Sequence, residues 1–245
     1  KERHKFCLFE SKQLYNTKMF VLIILFVVLG FVVQQRLKSK FKKYSQEALS
    51  NGLSGAEIAQ KMLDDHNITD VRIQSVPGKL TDHYNPLDKT VNLSPEVYSG
   101  RSVSAAAVAA HEVGHAVQHA VGYQWLDMRS QLVPLANASG KIMSIVMWSM
   151  FLGFGLLKLF SFDTIIWVLI VSQSAITAFT LVTLPVEYDA SNRALAWLTT
   201  TGTINTLEHE KAADALNWAA RTYLVAALAS MAQLAYYISL LSSRD

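Results

Sequence analysis

Four apolar runs, at 19–33, 142–160, 164–184 and 222–242, punctuate the chain, and two more polar stretches, 34–140 and 185–221, lie between them. The first run is short for a full span of about 20 residues, so the core of a signal peptide competes with an anchor. No small-x-small cleavage site follows it. Instead come Arg36, Lys38, Lys40, Lys42 and Lys43, and 19–35 reads as an uncleaved transmembrane anchor. The second and third runs are separated only by Ser161-Phe162-Asp163. Together they predict a transmembrane hairpin over 141–184, with Lys158 and Asp163 near its tip, able to reach the interface. The last run is interrupted by Gln233, Tyr236 and Tyr237; spanning is favoured over packing as a buried helix. About four transmembrane helices are therefore expected. Residues 1–18 are polar and of mixed charge, and read as a tail or extension outside the fold.

Within the polar stretches the pattern is that of a small water-facing domain. Ser54-Gly55-Ala56-Glu57 has the form of a capping box, and Ile58, Met62 and Leu63 behind it make a helical apolar stripe. Val71 and Ile73 alternate with polar residues and are closed by Pro77-Gly78; Asn85-Pro86 marks another turn, and Thr90–Leu93 reads as a second short strand. Ser94-Pro95-Glu96 opens a helical turn that Gly100 ends. A helix rich in Ala and Val follows over 102–121, stopped by Gly122. Pro185 suits the first turn of a helix running to about Thr200, with Gly202 past its end. The fold class is α+β and mostly helical, with a short β-hairpin. Neither a repeat of 20–50 residues nor a low-complexity tract is present. One hairpin leaves and returns, so 34–140 and 185–221 share a side of the membrane. The basic cluster Arg36 to Lys43 makes that side cytoplasmic, although Lys1, Arg3, Lys5, Lys12 and Lys18 sit across the first run.

Composition agrees with membrane residence. Of 245 residues 51% are hydrophobic and 17% charged, where soluble domains carry about a quarter charged. The net charge of +3 is too small and scattered for a nucleic-acid partner, and anionic lipid headgroups suit the basic residues better. The single cysteine, Cys7, excludes an internal disulfide and a cysteine metal cluster, so a metal site must use His, Asp and Glu.

Such residues occur together in His111-Glu112-Val113-Gly114-His115. Four residues apart on a helix, the two imidazoles stand one turn above each other, at the separation tetrahedral zinc requires. Glu112 projects beside them, placed to act as general base on water rather than as a ligand. The alternative is a helix with two solvated or core-satisfied histidines. Yet Val108-Ala109-Ala110 and Ala116-Val117 make this helix one to be buried, and buried imidazoles and a carboxylate need partners that a metal provides.

A catalytic zinc ion takes three protein ligands. His119 lies two turns past His111 and is carried partly off the face. Glu187 is the better candidate, on the same side of the membrane; its alternative role is a helix N-terminal carboxylate facing the dipole. Asp189 competes, but Arg193 at i+4 makes it a paired or outer residue. Thr90, Val91, Asn92 and Leu93 are an edge strand able to hold an extended peptide, or equally a structural hairpin. His209, Tyr223, Arg221 and His83 are candidate transition-state stabilisers, each also readable as structural.

Asp82-His83-Tyr84-Asn85-Pro86, Val91-Asn92-Leu93-Ser94, His111 to Gln118, and Leu184 to Ser191 together closely resemble the YugP-like family of bacterial membrane proteins, from about residue 20 to the end. The resemblance implies a neutral zinc metallopeptidase of the bacterial inner membrane, with His111 and His115 as ligands to one zinc ion and Glu112 as base. The family is similar to the membrane gluzincins, where the third ligand is a Glu on a later helix with an Asp four residues on. Glu187 matches the Glu. Ser191 stands at the Asp position, with Asp189 a possible substitute in the outer shell. The implied partners are a peptide or membrane-protein substrate and the bilayer. A zinc-binding scaffold or sensor without catalysis, and a zinc hydrolase of another bond, are the competing functions.

Overall fold

The computed structural model describes residues 2–152 and 160–242, the side chains of 2–16 and 19 excepted. The elements are α1 (Glu2–Tyr44), α2 (Gly55–Asp65), β1 (Arg72–Ser75), β2 (His83–Asn85), β3 (Thr90–Leu93), α3 (Pro95–Tyr98), α4 (Val103–Ala120), α5 (Gln124–Phe151), α6 (Phe162–Thr200) and α7 (Thr206–Ser242). The stretch 1–18, set aside above as a tail, belongs from Glu2 onward to the backbone of α1.

Three helices are long and apolar enough to cross a membrane: Phe20–Tyr44, α6 and α7. The expected number is four, and among the described residues three is the count. The expected first arm of the hairpin, 142–160, is described only as far as 152 and at 160; the rest, with Lys158, lies outside the described residues. The large side chains along 20–32 are mostly solvent-exposed, Val27 at 68% and Phe31 at 66%, as an apolar surface made for lipid would be.

The chain divides into two compact units, one made of Lys1–Phe31, Arg129–Val182 and Leu224–Asp245, the other of Val32–Met128 and Thr183–Tyr223. In the first, Val146, Ile165, Ile166, Leu169, Ile170 and Tyr237 form an apolar cluster. Gln173 Nε2 and Thr177 Oγ1 both donate to the Ser230 carbonyl, at 3.1 and 3.2 Å.

The second unit holds the sheet, in the order β1-β3-β2, with β1 parallel and β2 antiparallel to β3. β3 is thus the inner strand and is buried along its whole length. Asn92 stays satisfied there because Gln74 Nε2 donates to its Oδ1 at 2.6 Å and its own Nδ2 donates to Thr90 Oγ1 at 3.0 Å. This corrects the reading of Thr90–Leu93 as a peptide-holding edge, since both backbone edges of an inner strand are already paired. The edges belong to β1 and β2. Ile58, Met62 and Leu63 of α2 pack with Val91, Leu93 and the Ala-rich face of α4 in one core, and Ser54 and Glu57 form the complete capping box that starts α2.

Pro185 does not start a helix; α6 runs through it from Phe162 to Thr200. Proline removes one N–H and crowds the carbonyl four residues back, but a long helix in apolar surroundings keeps the rest of its ladder because no competing partner exists there. The end of α6 is as expected, with Gly202 at φ +63°. α4 ends in the same way: Gly122 adopts φ +63° and Tyr123 N–H donates to the Gln118 carbonyl at 2.9 Å, the two features of a glycine-terminated helix.

Candidate metal centre

α4 starts where the Ser102 hydroxyl accepts from Ala105 N–H at 3.3 Å, and its small residues let it run buried through the second unit. One turn apart on it, the His111 and His115 rings meet edge to face with centroids 4.8 Å apart. Glu187 of α6 closes the group. Its Oε2 lies 3.3 Å from His111 Nε2 and 3.7 Å from His115 Nε2, and one ligand atom from each residue falls within 4.8 Å of the others. Tetrahedral zinc with bonds of 2.0–2.1 Å sets its ligand atoms about 3.3 Å apart, so two imidazoles and a carboxylate at these separations fit the ion in number, chemistry and spacing. Because Glu187 lies inside α6, not at a helix start, the helix-dipole role does not apply to it.

The far nitrogen of each imidazole is also held. Ser191 Oγ lies 3.1 Å from His111 Nδ1, and Gln118 Oε1 lies 3.0 Å from His115 Nδ1. With Nδ1 carrying the proton, each Nε2 presents its lone pair toward Glu187. Gln118 is wholly buried and uses its whole amide: Nε2 donates to the Val186 carbonyl and to Asp189 Oδ2, both at 2.8 Å. Asp189 in turn accepts from Arg193 Nε at 2.5 Å. Asp189 is therefore linked to His115 through Gln118, while Ser191 serves His111 directly.

Glycine decides how close the two helices come. A Cβ on Gly114 would stand 2.6 Å from the Ala190 carbonyl oxygen, so the second variable position of the His-Glu-x-x-His run must be bare for α6 to bring Glu187 in.

Glu112 Oε2 accepts from the backbone N–H of Tyr84 at 2.9 Å. Burial pushes its carboxyl up to about 7; the Glu187 and Asp82 carboxylates push the same way, against His111 and the Tyr84 amide. A carboxyl in this range exchanges protons near neutrality, as a general base requires. His119 turns away to hydrogen-bond the Tyr84 hydroxyl through Nδ1 at 2.8 Å, outside the metal group. Of the expected stabilisers, His209 bonds Thr199 at 2.8 Å, Arg221 stacks over Trp218 at 4.3 Å, and His83 pairs with the Thr81 carbonyl at 2.7 Å. Tyr223 is half-buried on α7. The partners of His209, Arg221 and His83 named here are thus residues outside the metal group. Gln118, Gly114 and Tyr84 carry functional positions that spacing alone does not reveal, although Gln118 lies three residues past His115, within side-chain reach on a helix.

Residues 19–242 match the profile of a family described as "Putative neutral zinc metallopeptidase". The chain belongs to this family. Within it, the chain is 41% identical over 219 residues to a Bacillus subtilis (strain 168) protein named "Putative membrane protease YugP", covering 89% of this chain and 94% of that one. No solved structure matches. The family's name implies zinc, and the residues that could hold it in this member are the three that the fold gathers from α4 and α6.

Proposed function

We propose that the protein is a membrane-bound zinc peptidase in which His111, His115 and Glu187 hold one zinc ion and Glu112 is the general base. The observation that carries this reading is the arrival of Glu187, from a segment 72 residues beyond His115, within 3.3–3.7 Å of both imidazoles. A bound zinc ion lowers the pKa of water to about 7 and polarises a carbonyl. Glu112 takes a proton from the attacking water and passes it to the leaving amine as the C–N bond breaks. Ser191 and Gln118 keep both imidazoles in the tautomer that leaves Nε2 free. β2 replaces β3 as the strand that receives an extended substrate: it is an edge, and its Tyr84 N–H already faces Glu112. The substrate is a peptide or a membrane protein, reached from the bilayer of a bacterial inner membrane, with the centre on the cytoplasmic side because Arg36 to Lys43 flank it.

Replacing Glu112→Gln separates catalysis from metal sensing. The variant is expected to keep its zinc and lose peptide hydrolysis by roughly 10²- to 10⁴-fold. Hydrolysis at the parent rate would remove Glu112 as the base, whereas zinc bound by both proteins with hydrolysis by neither would support a zinc-binding scaffold or sensor.

A further inference from the structure

A cavity of about 990 Å³ opens within the second unit, between the end of α1, the loop before β2 and the start of α4. Its walls include Lys38, Lys42, Lys79, Arg101, Asp82 and Ser104. Two of the four cations are committed: Lys79 to Glu96 at 2.7 Å and Arg101 to Glu57 at 3.1 Å. Asp82 is committed as well, accepting from the backbone N–H of Ser94 at 2.7 Å and its hydroxyl at 3.2 Å. Lys38 and Lys42, one turn apart on α1, have no ion-pair partner among the described residues. The cavity therefore presents two uncommitted ammonium groups on one wall, with the already bonded carboxylates of Asp82 and Glu96 elsewhere in its lining.

Its position relates it to catalysis. Asp82 precedes Tyr84 by two residues, about 7 Å of extended chain, and the Tyr84 amide touches Glu112. Ser104 precedes Glu112 by eight residues on α4, about 12 Å. A peptide on the outer edge of β2 with its cleaved bond at Glu112 passes into the cavity about two or three residues away. Pairing antiparallel, the favoured arrangement, it enters with the residues that follow the cleaved bond.

We propose that this cavity is a specificity subsite for a carboxylate on the C-terminal side of the cleaved bond, two or three residues along, bound by Lys38 and Lys42. The proposal rests on the peptidase reading above. The carboxylate comes from an Asp or Glu side chain or from the substrate's own C-terminus, and the two sources are separable.

The test uses the full chain in detergent with a random-sequence synthetic peptide library, half with free and half with amidated C-termini, and reads cleavage sites by mass spectrometry. Lys38 and Lys42 are solvent-exposed, and the expected enrichment of Asp and Glu at the second or third position after the cut is roughly five-fold, the upper end for an exposed charge pair. If the terminus is the source, cuts instead cluster two or three residues from free C-termini and vanish in the amidated half. The double change Lys38→Glu, Lys42→Glu should shift the preference to Lys and Arg at the same positions, while Arg36→Gln, on the same helix outside the cavity, leaves it unchanged. Cleavage with no acidic or terminal preference, or a preference that survives the double change, overturns the subsite and leaves the peptidase reading standing. No cleavage in either half overturns the peptidase reading, and the subsite with it.

Discussion

Gln118 spends every hydrogen-bonding group it has on the site: one oxygen for His115 and two N–H bonds for Val186 and Asp189. Replacing Gln118→Leu leaves the buried His115 imidazole N–H without its acceptor, at a cost of about 1–3 kcal/mol, and strips Asp189 of one of the two hydrogen bonds its Oδ2 accepts, the other coming from Arg193. It should also weaken zinc binding by roughly 10- to 100-fold, the usual loss when an outer partner of a metal-bound histidine is removed. Competition against a zinc-sensitive dye measures this directly; unchanged affinity would show that His115 orients itself without help. Residues of this kind are hard to read from a sequence. His111, Glu112 and His115 are legible because a spacing of four on a helix fixes their relation whatever surrounds them. Gln118 depends on acceptors near 186–189, which only the fold brings close. Glu187 is intermediate: a carboxylate in a polar segment on the correct side of the membrane is visible, but its convergence on the imidazoles is not.

At Gly114, helices α4 and α6 meet with no room for a Cβ. Alanine there gains up to about 1 kcal/mol of helix propensity. A Cβ facing a carbonyl at 2.6 Å outweighs that gain, since overpacking a tight contact costs about 1–3 kcal/mol. Gly114→Ala should therefore lower the melting temperature and release zinc together, by thermal unfolding and metal analysis of one sample; a stabilised, zinc-replete variant would place the helix contact elsewhere. Elements whose signals are local were readable in advance: the capping box of α2, the strand at 90–93, and the glycine ends of α4 and α6. Two readings fail because a neighbour decides them. Pro185 is a helix starter by local preference, yet α6 absorbs it within a long apolar helix. Thr90–Leu93 is a strand, as its residues indicate, but whether it is inner or edge depends on β1 and β2, which its own four residues do not specify.

For the molecule as a whole, three described helices are long and apolar enough to cross a membrane, and the chain is 41% identical to a protein named "Putative membrane protease YugP". The proposed orientation follows from the lysines and arginine after the first apolar run. Single cysteines introduced at exposed Asn51 and Leu87 on a Cys7→Ser background should resist an impermeant thiol reagent in intact cells and react once the membrane is opened; labelling from outside would reverse the orientation. The whole account turns on α4 and α6 closing three side chains around one ion. The most direct test is the zinc content of the purified full chain beside its Glu187→Ala variant. About one zinc ion per chain in the parent, and loss of most of it in a variant that still folds, is the expected result. A parent that binds no zinc, or a variant that keeps all of it, would contradict the account.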